Sequence, residues 1–360
     1  MNNSLKSDEN CVNKSDTNDE PKTLYFECNP TGALNDEHSA AAASPSCNNY
    51  YDDNYDSTVT RVLKHYRPRG ALARALYQKQ ISDEQLRNFD KNQWYKCNLN
   101  GLPNELTKRF LPLSLDEDTN QFLIQSEEKS EWILTQLWHT IAKAFLGWFM
   151  TQTSINGWLG RGSMFVFSTK QFCYLLNLPY DWVGESCLDL GAGDGAVTAR
   201  VAPLFKEVYV TEISNQMRYI LQKQNFKILD IDNWHLDHKF DVIMCLNLLD
   251  RCDRPLDILQ KMHSSLTPGG HIVIALVLPF SPYVETGGDK SHLPTERLNI
   301  TGRTFEKQVF SFWQNVLIPN GFELERWSRV PYLCEGDINQ SFYYLDDAIF
   351  IVKKAASTIN

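Results

Sequence analysis

Two kinds of residue in this 360-residue chain are spaced for chemistry: glycines crowded into one turn, and acids that precede and follow them. The run Cys187-Leu188-Asp189-Leu190-Gly191-Ala192-Gly193-Asp194-Gly195 follows a short apolar stretch and opens an amphipathic one. In that context glycines let the backbone approach a ligand closely. A dinucleotide would want its pyrophosphate on a helix N-terminus and the spacing GxGxxG. Here the spacing is GxGxG, with Asp189 two residues before the first glycine and Asp194 inside the loop. Carboxylates at the mouth repel a pyrophosphate but can bind an α-ammonium and lie near a sulfonium, so the local charge favours S-adenosyl-L-methionine. Val208-Tyr209-Val210-Thr211-Glu212 ends in an acid 21 residues after Gly191, where a carboxylate can accept both ribose hydroxyls. Asp230-Ile231-Asp232-Asn233-Trp234 then puts polar groups where an adenine amino group could be read. The expected cofactor set is Asp189, Gly191, Gly193, Glu212, Asp232 and Asn233. No metal is expected: the nine cysteines are scattered and include no CxxC pair.

In an open α/β sheet ligands bind beyond the carboxyl ends of the strands, so the segment after the fourth strand should face the reacting group. It reads Cys245-Leu246-Asn247-Leu248-Leu249-Asp250-Arg251-Cys252. An acceptor three residues from an amide suits a nitrogen nucleophile that carries its own N–H. Asp250 could equally cap the helix that begins near Arg254, and Tyr343 could be a packed aromatic at the start of the last strand.

The elements that must position these residues are short apolar runs alternating with amphipathic stretches, the pattern of a parallel sheet with crossover helices. Strands are expected at 186–190, 207–211, 227–230, 240–246, 271–278, 322–329 and 343–352. Helices are expected from Ala196, Ser214, Arg254 and Thr304, with Pro268-Gly269-Gly270 breaking the third. Together these predict a seven-stranded, doubly wound, Rossmann-like α/β domain over 181–355. Residues 61–180 read as a mostly helical N-terminal extension, with a glycine-containing loop from Thr151 to Ser168. Residues 1–60 have the composition of a disordered acidic tail.

The formal net charge of −9 is unevenly placed. Residues 1–60 hold eleven acids and three lysines, a net of −8, which leaves −1 for residues 61–360. A nearly neutral body with no basic stripe argues against nucleic acid as a partner. Trp132 to Met150 is strongly apolar, but His139 and Lys143 interrupt it, and Ile133, Leu134, Leu137, Trp138, Ile141, Phe145, Trp148 and Phe149 recur as the stripe of a helix packed on a core rather than as a membrane span. No secretory signal is visible, so a cytoplasmic or nuclear location is expected by default, cytoplasmic first; the chain is expected to be a monomer. His235 and His238 read as solvated loop histidines.

Several runs outside the cofactor loop are more specific than the loop. They are Thr153-Ser154-Ile155-Asn156-Gly157, the stretch Leu159 to Ser168, Cys245 to Asp253, Ala275 to Glu285, and Pro331-Tyr332-Leu333-Cys334-Glu335-Gly336-Asp337. With the glycine loop they closely resemble the DREV family of methyltransferase-like proteins, over roughly residues 93–353. The resemblance implies a protein-histidine N-methyltransferase that methylates the pros nitrogen in His-x-His motifs of protein or peptide substrates. It also implies that Asn247, Asp250 and Tyr343 position the target imidazole, with Arg161 and Tyr283 shaping the pocket. Animal relatives commonly begin with an apolar signal or anchor, whereas this chain begins with a polar acidic tail. A small-molecule imidazole N-methyltransferase and a non-catalytic cofactor-binding interaction protein are the competing functions.

Overall fold

The apolar runs of the second half do become strands, and the computed structural model joins them in one mixed sheet. The structure describes residues 69–356, apart from 133–134, 137, 140–158, 160–161, 180 and 285–291. The strands are β1 (Met164–Phe165), β2 (Gly184–Leu190), β3 (Phe205–Thr211), β4 (Lys227–Ile228), β5 (Phe240–Leu246), β6 (Leu266–Val277), β7 (Phe322–Glu335) and β8 (Phe342–Lys354). Their order across the sheet is β1-β7-β8-β6-β5-β2-β3-β4. Strands β2 to β6 run parallel, β8 is antiparallel to both β6 and β7, and β1 is antiparallel to β7. The helices are α1 (Ala71–Asn88), α2 (Asn104–Thr107), α3 (Glu117–Glu131), α4 (Thr169–Leu176), α5 (Ala196–Val201), α6 (Asn215–Lys223), α7 (Pro255–Ser265) and α8 (Phe305–Phe312).

The alternation of side chains sorts the core into two layers. Ile243, Cys245, Ile272, Ile274 and Phe350 pack on one face of the sheet. Val242, Met244, Val273, Ala275, Ile349 and Ile351 pack on the other. Burial on both faces explains why β5 and β6 read as continuous apolar runs. The second layer is completed from the first half of the chain, by Leu86, Trp94, Tyr95, Phe122, Leu123, Phe172 and Leu175. Each such side chain contributes roughly 1.5–3 kcal/mol by leaving water. Helix α4 starts at a capping box, with Ser168 Oγ accepting from the Gln171 N–H at 3.0 Å and Gln171 Oε1 accepting from the Ser168 N–H at 3.1 Å.

Among the described residues the sheet has eight strands rather than seven. The extra one, β1, lies inside the stretch read as a glycine loop, and two residues are too few for period-two alternation to show. Pro268-Gly269-Gly270 does not end the third crossover helix; α7 stops at Ser265 and the three residues lie within β6. Gly270 is needed there because a Cβ would sit 2.9 Å from the Asp241 carbonyl oxygen. Strands β7 and β8 also run farther than their apolar cores suggest. Beyond the level at which Val277, the last residue of β6, pairs with Asp347, and Asp347 with Val330, the β7–β8 hairpin continues past the carboxyl edge of the parallel strands.

That hairpin is anchored from the N-terminal helices. Asp83 accepts the Ser341 N–H at 2.9 Å and the Ser341 hydroxyl at 2.8 Å. Lys79 donates to Ser341 at 2.6 Å and to Ser130 at 2.9 Å, and pairs with Asp83. Trp138, read as part of a buried stripe, is exposed instead. The other residues of that stripe lie outside those described, as does most of the loop from Thr151. Among the described residues no helix is long and apolar enough to cross a membrane.

Candidate active site

Strand β2 delivers the glycine turn to the carboxyl edge of the sheet. Gly191, Gly193 and Gly195 all have positive φ, at 71°, 57° and 78°. A Cβ on Gly195 would meet Leu221 Cδ2 at 2.7 Å, so its hydrogen side chain is required twice over. Five N–H groups of the turn are spent inside the protein. Those of Gly191 and Ala192 donate to the Thr211 carbonyl, both at 3.0 Å, and that of Gly193 donates to Glu212 Oε2 at 3.0 Å. The Gly195 N–H donates to the Ala192 carbonyl, and that of Ala196 to Asp194 Oδ1. A pyrophosphate cradle needs such donors free, so the turn does not fit a dinucleotide.

Its charge fits a cation. Asp189 is buried and its Oδ2 accepts from the Thr198 hydroxyl at 2.5 Å. Burial pushes its carboxyl up to about 7, Thr198 pulling it down and Glu212 adding to the rise. Asp194 is also raised, first by burial. Glu212 is 6% exposed and fixed from a second side by the Ser214 N–H at 2.8 Å. Three acids around one tight turn suit an amino-acid sulfonium with ribose hydroxyls. Asp232 and Asn233 stand exposed after β4, where their N–H groups donate to Asp230 Oδ1 at 3.0 and 3.1 Å in an Asx turn.

Beside the turn, β5 ends at Leu246 and the chain bends sharply. Asn247 adopts a positive φ of 54°, which amide side chains tolerate better than most. Its N–H donates to the Ala275 carbonyl at 3.0 Å, and its Nδ2 donates to Asp347 Oδ2 on β8 at 2.9 Å. Asp250 is 5% exposed, and its Oδ2 faces Arg251 Nε at 3.5 Å. Burial raises its carboxyl and Arg251 opposes the rise. Asp347 is fully buried; burial pushes it up to about 8, against the Asn247 hydrogen bond and with the charge of Asp250. Three oxygens here, Asn247 Oδ1, Asp250 Oδ1 and Asp347 Oδ1, are buried without a hydrogen-bond partner.

The β7–β8 hairpin and β1 close over this edge. Tyr332 donates to Met164 Sδ at 2.5 Å, and the Met164 Cε lies 3.5 Å from where a Gly193 Cβ would be. Glu335 holds the backbone of Ser163 in both directions, at 3.0 and 3.3 Å, and pairs with Lys129. Tyr343 sits at the hairpin end, its hydroxyl donating to Asp337 Oδ1 at 3.0 Å. Tyr283 reaches Asp250 through its backbone, donating to the Asp250 carbonyl at 2.8 Å, while its ring stacks on His292 at 4.7 Å. Arg161 lies outside the described residues. His235, read as solvated, is half-buried with Nδ1 enclosed and unpartnered.

Asp347, Arg251 and Met164 did not enter the sequence-based site. For Asp347 a signal existed: an acid directly preceding the apolar run Ala348 to Val352, where a charge is costly unless used.

Among solved structures the chain is similar to N-methyltransferase NodS from Bradyrhizobium japonicum in complex with S-adenosyl-L-homocysteine, at 16% identity and TM-score 0.35, covering 52% of this chain and 86% of that one. It is also similar to a ribosomal protein L11 methylase from Lactobacillus delbrueckii, at 16% identity and TM-score 0.33, covering 53% and 82%. A TehB-like S-adenosylmethionine-dependent methyltransferase from Corynebacterium glutamicum matches at 15% identity and TM-score 0.33, covering 52% and 88%. Membership rests instead on the family match, in which the DREV methyltransferase family corresponds to residues 94–354, well over half the chain. With the glycine turn and its acids inside that span, the chain belongs to the DREV methyltransferase family and uses S-adenosylmethionine.

Proposed function

We propose that the protein methylates the pros nitrogen of histidine in His-x-His motifs of protein or peptide substrates. The observation that carries this is Asp250: a buried carboxyl with one oxygen opposite Arg251 and the other unpartnered, beside the glycine turn. S-adenosylmethionine, when bound, supplies an electrophilic methyl group on a sulfonium. Asp189, Gly191, Gly193 and Glu212 would hold it, with Asp232 and Asn233 at the adenine end.

The remaining chemistry is assigned to this chain's side chains. A neutral imidazole has one N–H and one lone-pair nitrogen, and near pH 7 it needs little help to be nucleophilic. What must be fixed is which nitrogen is which. Asp250 Oδ1 accepts the tele N–H, which leaves the pros lone pair facing the glycine turn. The same carboxylate stabilises positive charge developing on the ring, and its raised affinity for a proton suits it to take the ring proton afterwards. Asn247 and Tyr343 fix the ring plane, so that much of the rate comes from orientation.

Incubation with His-x-His peptides and labelled cofactor, followed by separation of the two methylhistidine isomers, tests this. Pros-methylhistidine is expected. Tele-methylhistidine alone, or methylation confined to free imidazole compounds, would overturn it.

A further inference from the structure

We infer that Asp347 is a positioning residue for this reaction: by holding the Asn247 amide nitrogen it turns the amide oxygen toward the substrate, beside the Asp250 carboxylate. The inference rests on Asn247 and Asp250 forming the substrate-binding edge. Residue 347 sits at the last pairing between β8 and β6, where the sheet ends and the hairpin begins. The Asn247 backbone is independently tied to Ala275 of β6, so the side chain of Asn247 is offered to β8 from a fixed point.

An amide can present either its oxygen or its nitrogen, and the two ends differ little in shape. Asp347 resolves that choice. As a carboxylate it can only accept; as the neutral acid it accepts from Nδ2 through Oδ2 provided that its proton sits on Oδ1, because an O–H on Oδ2 would instead donate to the amide oxygen. With Nδ2 engaged at 2.9 Å, the other end of the amide is Oδ1, which is buried and unpartnered. The edge therefore carries two enclosed, unpartnered acceptors, Asn247 Oδ1 and Asp250 Oδ1, which a substrate would have to reach by displacing their cover. On this inference the substrate brings a donor to each: the tele N–H of a neutral ring to Asp250 and, beside the ring whose plane Asn247 helps to fix, a second N–H of the peptide to the Asn247 oxygen. A ring deprived of its N–H offers one donor fewer and leaves a buried acceptor unmatched.

A purely structural origin for Asp347 is disfavoured by its surroundings. The next five residues of β8 are apolar and buried, and an apolar side chain at 347 would avoid burying an acid beside Asp250. Burial already pushes this carboxyl up to about 8, so the fold carries the group at a cost that the Asn247 amide and the Leu276 backbone N–H offset only in part.

The test compares the full-length protein with Asp347→Leu and Asp347→Asn. Asp347→Leu is expected to lower kcat on a His-x-His peptide at least ten-fold while changing the dissociation constant for S-adenosylhomocysteine by less than two-fold. Asp347→Asn restores a carbonyl acceptor and is expected to recover most of that loss. A substrate-independent readout is the side-chain NH₂ signal of Asn247 in protein with ¹⁵N-labelled asparagine, identified by its loss in Asn247→Leu. Its hydrogen exchange should be slow in the wild type and in Asp347→Asn, and at least ten-fold faster in Asp347→Leu. Unchanged exchange in Asp347→Leu, or equal damage from both variants, would overturn the inference. If Asp347→Leu does not fold, fast exchange of the Asn247 amide in the wild type alone would overturn it, and slow exchange in Asp347→Asn would support it. A protected amide in a wild type that methylates no His-x-His peptide would refute the histidine specificity and leave the amide orientation standing.

Discussion

Glu212 and Asp250 are both buried acids at the carboxyl edge, yet their partners suit them to different proposed roles. Glu212 is braced by the Gly193 and Ser214 N–H groups, which fix its carboxylate for the proposed contact with ribose hydroxyls. Glu212→Ala should raise the dissociation constant for S-adenosylhomocysteine about 100-fold, the loss of about two hydrogen bonds to a charged group. Titration calorimetry reads this, and an unchanged constant would remove Glu212 from the cofactor site. Asp250 has no such backbone bracing on its Oδ1. Asp250→Ala should lower kcat by roughly 10²–10⁴ with cofactor affinity nearly intact; undiminished turnover in a radiolabel assay would exclude it from the mechanism. The acids of the glycine turn and Asn247 to Asp250 were legible because each lies within a few residues of a recognisable turn. The partner of Asn247 was not, because that hydrogen bond spans 100 residues and depends on the register of β6 against β8.

At the scale of elements, the parallel strands and their crossover helices could be read because burial on both faces writes itself as apolar runs. The hairpin extension could not. Residues 331–335 and 342–346 mix polar with apolar side chains, and they are held by groups remote in sequence: Ser163 for Glu335, Asp83 for Ser341. Through that contact Asp83 is expected to affect activity, although α1 lies outside the 94–354 span shared with the family. Asp83→Ala would strip Lys79 and Ser341 of their shared acceptor, and removing one partner of a buried ion pair costs on the order of 3 kcal/mol. The expected outcome is a lower urea midpoint together with faster hydrogen exchange across residues 336–343 and a reduced kcat. A variant with slow exchange in that segment and full kcat would show that the hairpin holds its place without α1.

Across the whole molecule, the net charge of −9 misleads, because −8 of it belongs to residues 1–60. Several carboxyls with displaced affinities dominate the pH response of the body, opposed below about pH 6.5 by His263, which burial lowers so that its contribution to stability grows as pH rises. Asp189 is pushed up to about 7 and Asp347 to about 8, both first by burial, and Asp250 and Asp194 are raised as well. A raised carboxyl binds its proton more tightly in the folded state than in the unfolded one. Between the ordinary value of 3.8 and the folded value the unfolded chain holds fewer protons, so stability falls as pH rises through that window. Glu325 works in the opposite sense: His271 and Lys353 hold it down at about 2, and its contribution is lost as pH falls from 4.5 toward that value. The two trends place maximum stability in mildly acid solution. Thermal unfolding without cofactor should therefore give a Tm that declines from pH 5 to pH 8. In Asp347→Asn, which keeps the acceptor for Asn247 and discards the ionisation, the decline should be shallower, with Tm at pH 8 raised by about 2 °C or more. A wild-type Tm that climbs across this range, or a variant that tracks the wild type at every pH, would show that these buried acids ionise without cost.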